Sequence, residues 1–379
     1  MVPIQMVDLK RQYKKIKAAV DTAIGDVLES AAFINGPAVQ QFTAELQSYL
    51  GARHVIPCAN GTDALQIAMM AAGLKPGDEV ITPSFTFIAT AEVIALLNLK
   101  PVFVDIDPQT YCLDVKAVEK AITPKTKAIV PVHLYGHVAD MEPLMEVANK
   151  HQLLVIEDNA QAIGADYTFK DGTRKKAGTI GHIGCTSFFP SKNLGCYGDG
   201  GAIFTNDDQL ADKIRMVANH GQSARYYHDV VGVNSRLDST QAAVLRIKLP
   251  LLDEYIAARQ AVADAYDAAF AGIPQITTPF RAAHSTHVFH QYTLQLNGAD
   301  RNELQKYLAT RDVPSMIYYP VPAHRQKMFE QFGSAAFDLP VTDSLTTKVI
   351  SLPIHTEMDP DQLEHIIQSV KSFLNNPQT

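Results

Sequence analysis

The chain has 379 residues, a formal charge of −7, 46% hydrophobic and 19% charged residues, which is the balance of an ordinary globular protein too long for one small core. That balance excludes a disordered or collagen-like chain, and with no basic block no nucleic-acid or membrane-surface partner is expected. Four scattered cysteines without a CxxC pair read as reduced thiols, and no run nears the ~18 apolar residues of a membrane span, so a cytoplasmic protein is expected.

The first fifty or so residues are helical in pattern and could pack on either of two domains. From residue 54 short apolar runs alternate with helical ones. HVIPCA leads to TDALQIAMMAAGL, DEVITPSF to ATAEVIALLNL, PVFVDI to LDVKAVEKAI, and KAIVPVHLYG to MEPLMEVANKH. LLVIED, CTSFFP and GAIFTN complete the series. Continuously apolar strands between helices predict a mainly parallel sheet covered on both faces, the α/β class. A helical stretch over 239–272 then leads into an α+β region with strand candidates HQYTLQL and SMIYYPV and a closing helix DQLEHIIQSVKSFL. The expected domains are 1–255, including the N-terminal helical segment, and 256–379.

Three strand ends carry polar residues where ligands collect in such sheets. In CANGTDAL, Asn60–Gly61 makes a turn and Thr62 opens a helix, whose free amides suit an anion; a simple N-cap at Thr62 is the plainer reading. LLVIEDNAQAIGA ends in Glu157–Asp158 and then Gln161. Adjacent strand residues face opposite ways, so the two carboxylates are not a catalytic pair, and Glu157 reads as structural. In SFFPSKNLGCYGDGGAIF, Lys192 stands in a turn framed by Gly195, Gly198, Gly200 and Gly201. Neither a Walker loop nor a dinucleotide glycine pattern is present. A lysine amine, a carboxylate, a phosphate cradle and a flat packing group together suit pyridoxal 5′-phosphate. The histidines His133, His137, His220, His228 and His324 show no zinc-site spacing, so no metal is expected. Tyr226 and Tyr227 either border a cleft or pack at an interface.

At these motifs the chain resembles the DegT/DnrJ/StrS-type nucleotide-sugar aminotransferases of the aspartate aminotransferase fold (fold type I). The resemblance runs through FINGPAV, ANGTDAL, ITPSFTFIATAEVI, PVHLYGH, IEDNAQAIGA, SFFPSKNLGCYGDGGAIFTN, GVNSRLDSTQAAVL and YYPVP. It implies a seven-stranded, mixed but mainly parallel sheet in the large domain, with a smaller C-terminal α+β domain. It also implies that Lys192 forms the Schiff base and that Asp158 partners the pyridine nitrogen. Gln161 matches a contact to the ring hydroxyl, and Phe87 the ring-stacking aromatic. Gly61, Thr62 and Ser187 match phosphate-binding positions. Asn234 matches a phosphate ligand given by a second subunit, hence a homodimer with shared active sites, and Arg236 would meet the substrate from there.

The implied reaction moves an amino group from L-glutamate to a keto-sugar nucleotide. NLGCYGDGG is closest to enzymes acting at C3 of a UDP-linked 3-keto-N-acetylhexosaminuronic acid, in cell-surface polysaccharide (O-antigen) biosynthesis. Tyr318 and Tyr319 stand at substrate-facing positions, where those relatives carry His-Tyr. A tyrosine brings no positive charge to a carboxylate, so a dTDP- or UDP-linked 3-keto-6-deoxyhexose is the alternative, with C4 amination a further one. A non-catalytic pyridoxal phosphate-binding regulator is the rival outside enzymes.

Overall fold

The structure is a computed structural model that describes residues 3–375. Seven strands form the central sheet: β1 His54–Cys58, β2 Glu79–Pro83, β3 Lys100–Val104, β4 Thr126–Ile129, β5 Leu154–Asp158, β6 Ile183–Ser187 and β7 Gly201–Thr205. Their order is β1-β7-β6-β5-β4-β2-β3, and β7 alone runs against its neighbours. Successive residues enter opposite cores. Val55, Ile81, Val155 and Phe204 pack on one face, and Ile56, Val80, Ile156 and Ile203 on the other. That alternation with no polar side is why the strands read as unbroken apolar runs.

The ordering brings the carboxyl ends of β1, β5 and β6 together with the start of β7. Gly201 pairs with Cys58 on one side and Ser187 on the other. A Cβ at Gly201 would lie 2.5 Å from the Asn60 carbonyl carbon, so only glycine lets β7 begin this close to the β1 turn.

A second core lies in a three-stranded antiparallel sheet, β8 Ile276–Thr277, β9 Tyr292–Leu296 and β10 Val349–Leu352, covered by the helices Arg301–Thr310 and Pro360–Asn375. The helix Leu252–Phe270 joins the two cores: Leu252 and Ile256 pack in the first, Val262, Tyr266 and Phe270 in the second. The N-terminal segment touches both. Its helices Leu9–Ser30 and Pro37–Leu50 lie on the helix Ser239–Lys248, while Ile4 joins the second core and Arg11 pairs with Asp359 at 2.8 Å.

Three local expectations change. The helical stretch 239–272 breaks into Ser239–Lys248 and Leu252–Phe270 around Pro250, whose missing N–H ends the ladder. SMIYYPV is no strand: only Met316 pairs, with Ser351, and Pro320 and Pro322 cannot donate to a sheet. The helix after β1 starts at Gly61, and Asn60 rather than Thr62 caps it, accepting from Asp63 N at 2.8 Å.

Candidate active site

Where the strand ends meet, Asp158 closes β5 with its side chain toward the helix Ala89–Leu96. Its Oδ2 accepts from Thr90 Oγ1 at 2.8 Å and its Oδ1 from Ala160 N at 3.1 Å. Neighbouring Glu157 faces the opposite way and is fully engaged. It accepts from Gly178 N at 2.8 Å and Ile180 N at 2.7 Å, and pairs with His133 Nε2 at 2.8 Å. One carboxylate is therefore locked into the fold and the other is turned to the cleft, the division expected of adjacent strand residues.

Lys192 follows β6 in a turn closed by Lys192 N donating to Phe189 O at 2.8 Å. Among the described residues its amine has no hydrogen bond or ion pair. Burial pulls its pKa down to about 8, against the opposing pull of the nearby Asp158 charge. A desolvated, unpartnered amine facing a carboxylate is unusual for structure alone. The turn is braced from behind, because the buried Lys248 donates its amine to Gly195 O at 2.8 Å. Gly195 cannot carry a side chain, since a Cβ there would lie 2.4 Å from Pro190 O.

The helix Gly61–Ala71 points its N-terminus at the same place. Asn60 satisfies Asp63 N and Ala64 N, leaving the Gly61 and Thr62 amides without intrahelical acceptors. Ser187 lies directly against them: a Cβ on Gly61 would come within 2.7 Å of the Ser187 Cβ. Two free amides, a hydroxyl and a helix N-terminus make a concave anion cradle. Gln161 Nε2 donates to Tyr319 Oη at 3.0 Å, and the Phe87 ring, half of it exposed, packs 6.1 Å from the ring of Tyr319. Tyr318 is half-buried beside it, near Gln291.

The fold thus brings together Lys192, Asp158, Gln161, Gly61, Thr62, Ser187, Phe87, Tyr318 and Tyr319. Among the described residues no hydrogen bond joins Asn234 or Arg236 to them, although Ser235 between the two accepts from Ala59 N at 3.0 Å beside the cradle. Asn234 is exposed, and Arg236 lines a separate cleft with Asn35, Gln40, Thr43 and Arg215, its guanidinium 3.5 Å from Asn219 Oδ1. Sequence reading passed over Thr90, Tyr135 and Lys248. Thr90, a polar residue in the apolar first turn of its helix, was the one with a visible signal.

These residues fit the group implied for the site. An unpaired amine, a carboxylate held by Thr90 and the Ala160 amide, an amide cradle and an exposed ring match the aldehyde, ring nitrogen, phosphate and flat face of pyridoxal phosphate. Among the described residues no three His, Cys, Asp or Glu side chains gather as a metal site. No described helix is long and apolar enough to cross a membrane.

Residues 14–371 match the DegT/DnrJ/EryC1/StrS aminotransferase family. The chain belongs to this family. It is 49% identical to a Pseudomonas aeruginosa UDP-2-acetamido-2-deoxy-3-oxo-D-glucuronate aminotransferase, over 94% of this chain and 96% of the relative. A Geobacillus stearothermophilus relative named a pleiotropic regulatory protein is 45% identical over 98% of each. A Bacillus subtilis structure with bound cofactor PMP superposes with TM-score 0.89 at 31% identity, over 98% of this chain and 83% of that one. Family membership and this superposition agree with the large mixed sheet and with fold type I.

Proposed function

We propose that the protein is a pyridoxal 5′-phosphate-dependent aminotransferase that carries an amino group from L-glutamate to C3 of a keto-sugar nucleotide. The UDP-linked 3-keto-N-acetylhexosaminuronic acid is the acceptor favoured by the 49% identical relative's name. The observation that carries the reading is Lys192: its amine is desolvated, unpartnered among the described residues and turned toward Asp158. The cofactor, when bound, supplies an electron sink for the bond-breaking step.

The chain's own groups do the rest. The Lys192 amine holds the cofactor at its aldehyde carbon. With the cofactor bound, Lys192 Nζ would be the group that carries the proton between the donor Cα and the cofactor, and would serve the acceptor half-reaction in the same role. Asp158 would hold the ring nitrogen protonated, and Gln161 Nε2 would donate toward the ring hydroxyl. Gly61 N, Thr62 N and Ser187 Oγ bind the phosphate, and Phe87 covers the ring. Tyr318 and Tyr319 border the sugar. Asn234 and Arg236 serve the site of a second copy, so the working unit is a homodimer with two shared sites. Domain 1–255 carries the cofactor and 256–379 the covering wall. A cytoplasmic role in cell-surface polysaccharide synthesis follows from a nucleotide-sugar substrate.

The test is direct. Glutamate added to the cofactor-loaded protein bleaches the cofactor's visible absorbance and releases 2-oxoglutarate in equal amount. An unchanged spectrum overturns the reading in favour of a non-catalytic pyridoxal phosphate-binding regulator; the Geobacillus stearothermophilus relative is named a pleiotropic regulatory protein.

A further inference from the structure

We infer that Tyr135, in the HLYG turn after β4, is a positioning residue for the sugar-nucleotide half of the reaction; the inference rests on the aminotransferase reading above. Tyr135 is buried, and its backbone lies in the left-handed region at φ 58°, ψ 4°. An aromatic residue holds that conformation only where its surroundings fix it. Here they do so from every side. Its N–H donates to Gln161 Oε1 at 2.7 Å, its carbonyl accepts from Gln291 N at 3.3 Å, and its hydroxyl donates to the carbonyl of Tyr318. Gly136 follows at φ 100°, and a Cβ there would lie 2.9 Å from Phe289 N, so the turn has no room to shift.

Two consequences reach the cleft. A backbone N–H can only donate, so it fixes the Gln161 amide with its oxygen toward Tyr135 and its NH2 toward Tyr319. The hydroxyl anchors the segment Met316–His324, which walls the cleft beside the exposed ring of Phe87. That segment is tied at its ends by Met316 to Ser351 and by Ala323 N to Ser84 O at 2.9 Å. His324 N also donates to Ser84 Oγ at 3.0 Å. Between the ties Val321 is exposed and Pro320 and Pro322 donate nothing, so Tyr135 holds the backbone at Tyr318 while Gln161 holds the Tyr319 hydroxyl and Gln326 the Val321 carbonyl. An amino-acid donor reaches the amine of Lys192 with few atoms. A sugar with its diphosphate has to extend along this wall, so slack in the wall is felt by the second substrate.

Tyr135→Phe removes the hydroxyl and keeps the ring against Tyr111 (5.4 Å) and Phe85 (6.4 Å). The expected result is a glutamate half-reaction within twofold of wild type, followed by cofactor absorbance. In the Lys192→Ala background, the calorimetric Kd for the 3-amino sugar nucleotide product rises about tenfold, the worth of one hydrogen bond to a part-buried carbonyl. Ser84→Ala, which loosens the far end of the same wall, is expected to give the same split. Equal loss in both readouts makes Tyr135 a residue of general stability and overturns the inference, as does no change in either. Wild-type protein that fails to react with glutamate instead removes the aminotransferase reading, and this inference with it.

Discussion

The cleft at the strand ends and the exposed arm after the helix Asp208–Ala218 offer opposite kinds of site. In the cleft, Asp158, Lys192, Gln161 and the Gly61–Ser187 cradle are fixed by one chain's own sheet register, down to the Thr90 hydroxyl and Ala160 amide that orient the carboxylate. On the arm, Tyr226 and Tyr227 are 77% and 70% exposed and Val231 is 84% exposed, and Asn234 pairs with Asn219 in an isolated bridge. Apolar side chains left this open on and after a hairpin are the surface offered to the second copy in the proposed homodimer. The difference teaches that the cleft is assembled inside one copy, whereas in the proposed homodimer retention of the cofactor and grip on the substrate would draw on the second copy.

The hardest blow to the cleft is Lys192→Ala. Turnover is expected to fall by more than about a thousandfold, because both the covalent anchor and the proton carrier are lost. Cofactor is still retained noncovalently, as read from its absorbance after gel filtration. Asp158→Asn comes next. Losing a charge pair near 4 Å at an effective dielectric of ~20 forfeits about 4 kcal/mol, or close to a thousandfold in the single-turnover rate with glutamate. Retained full rate in either variant breaks the assignment of the cleft.

Asn234→Ala tests the arm. It is expected to release cofactor about tenfold more readily, the worth of one hydrogen bond. Mixing it with Lys192→Ala protein restores activity only if sites are shared, since a mixed dimer then owns one intact site. Absence of rescue confines each site to a single copy and removes the contrast. Gly61→Ala probes the cradle itself: its Cβ would meet the Ser187 Cβ at 2.7 Å, so one of the two must shift, and both phosphate binding and melting temperature are expected to fall.

The smallest effect is in pH. With its amine pKa lowered to about 8, Lys192 deprotonates well before a free lysine, and only the neutral amine attacks an aldehyde. The rate of cofactor capture by the empty protein is expected to climb through pH 8 and level off above it. A rise continuing toward pH 10.5 shows an amine that burial has not shifted.

Much of this was legible in the sequence. Unbroken apolar runs gave the two-faced sheet, and the polar residues at the ends of HVIPC, LLVIED and the strand before SFFPSK lie at the cleft. The opposite facing of Glu157 and Asp158 followed from strand geometry alone. The limits of SMIYYPV and of the helix at 239–272 were misread because prolines act through hydrogen bonds they fail to make, which apolar periodicity does not record. Thr90 and Tyr135 were passed over because their value comes from groups 68 and 26 residues away, at Asp158 and Gln161.

Residue identity by itself determined which chemistry is available: one lysine in a glycine-framed turn, one carboxylate at a strand end, and a family-wide order of motifs. Only the tertiary structure decided what surrounds them. Desolvation, which moves the lysine toward neutrality, and the bracing by Thr90, Tyr135 and Lys248 depend on distances between segments far apart in the chain. Those distances are set by strand order and packing, which no local stretch of sequence contains.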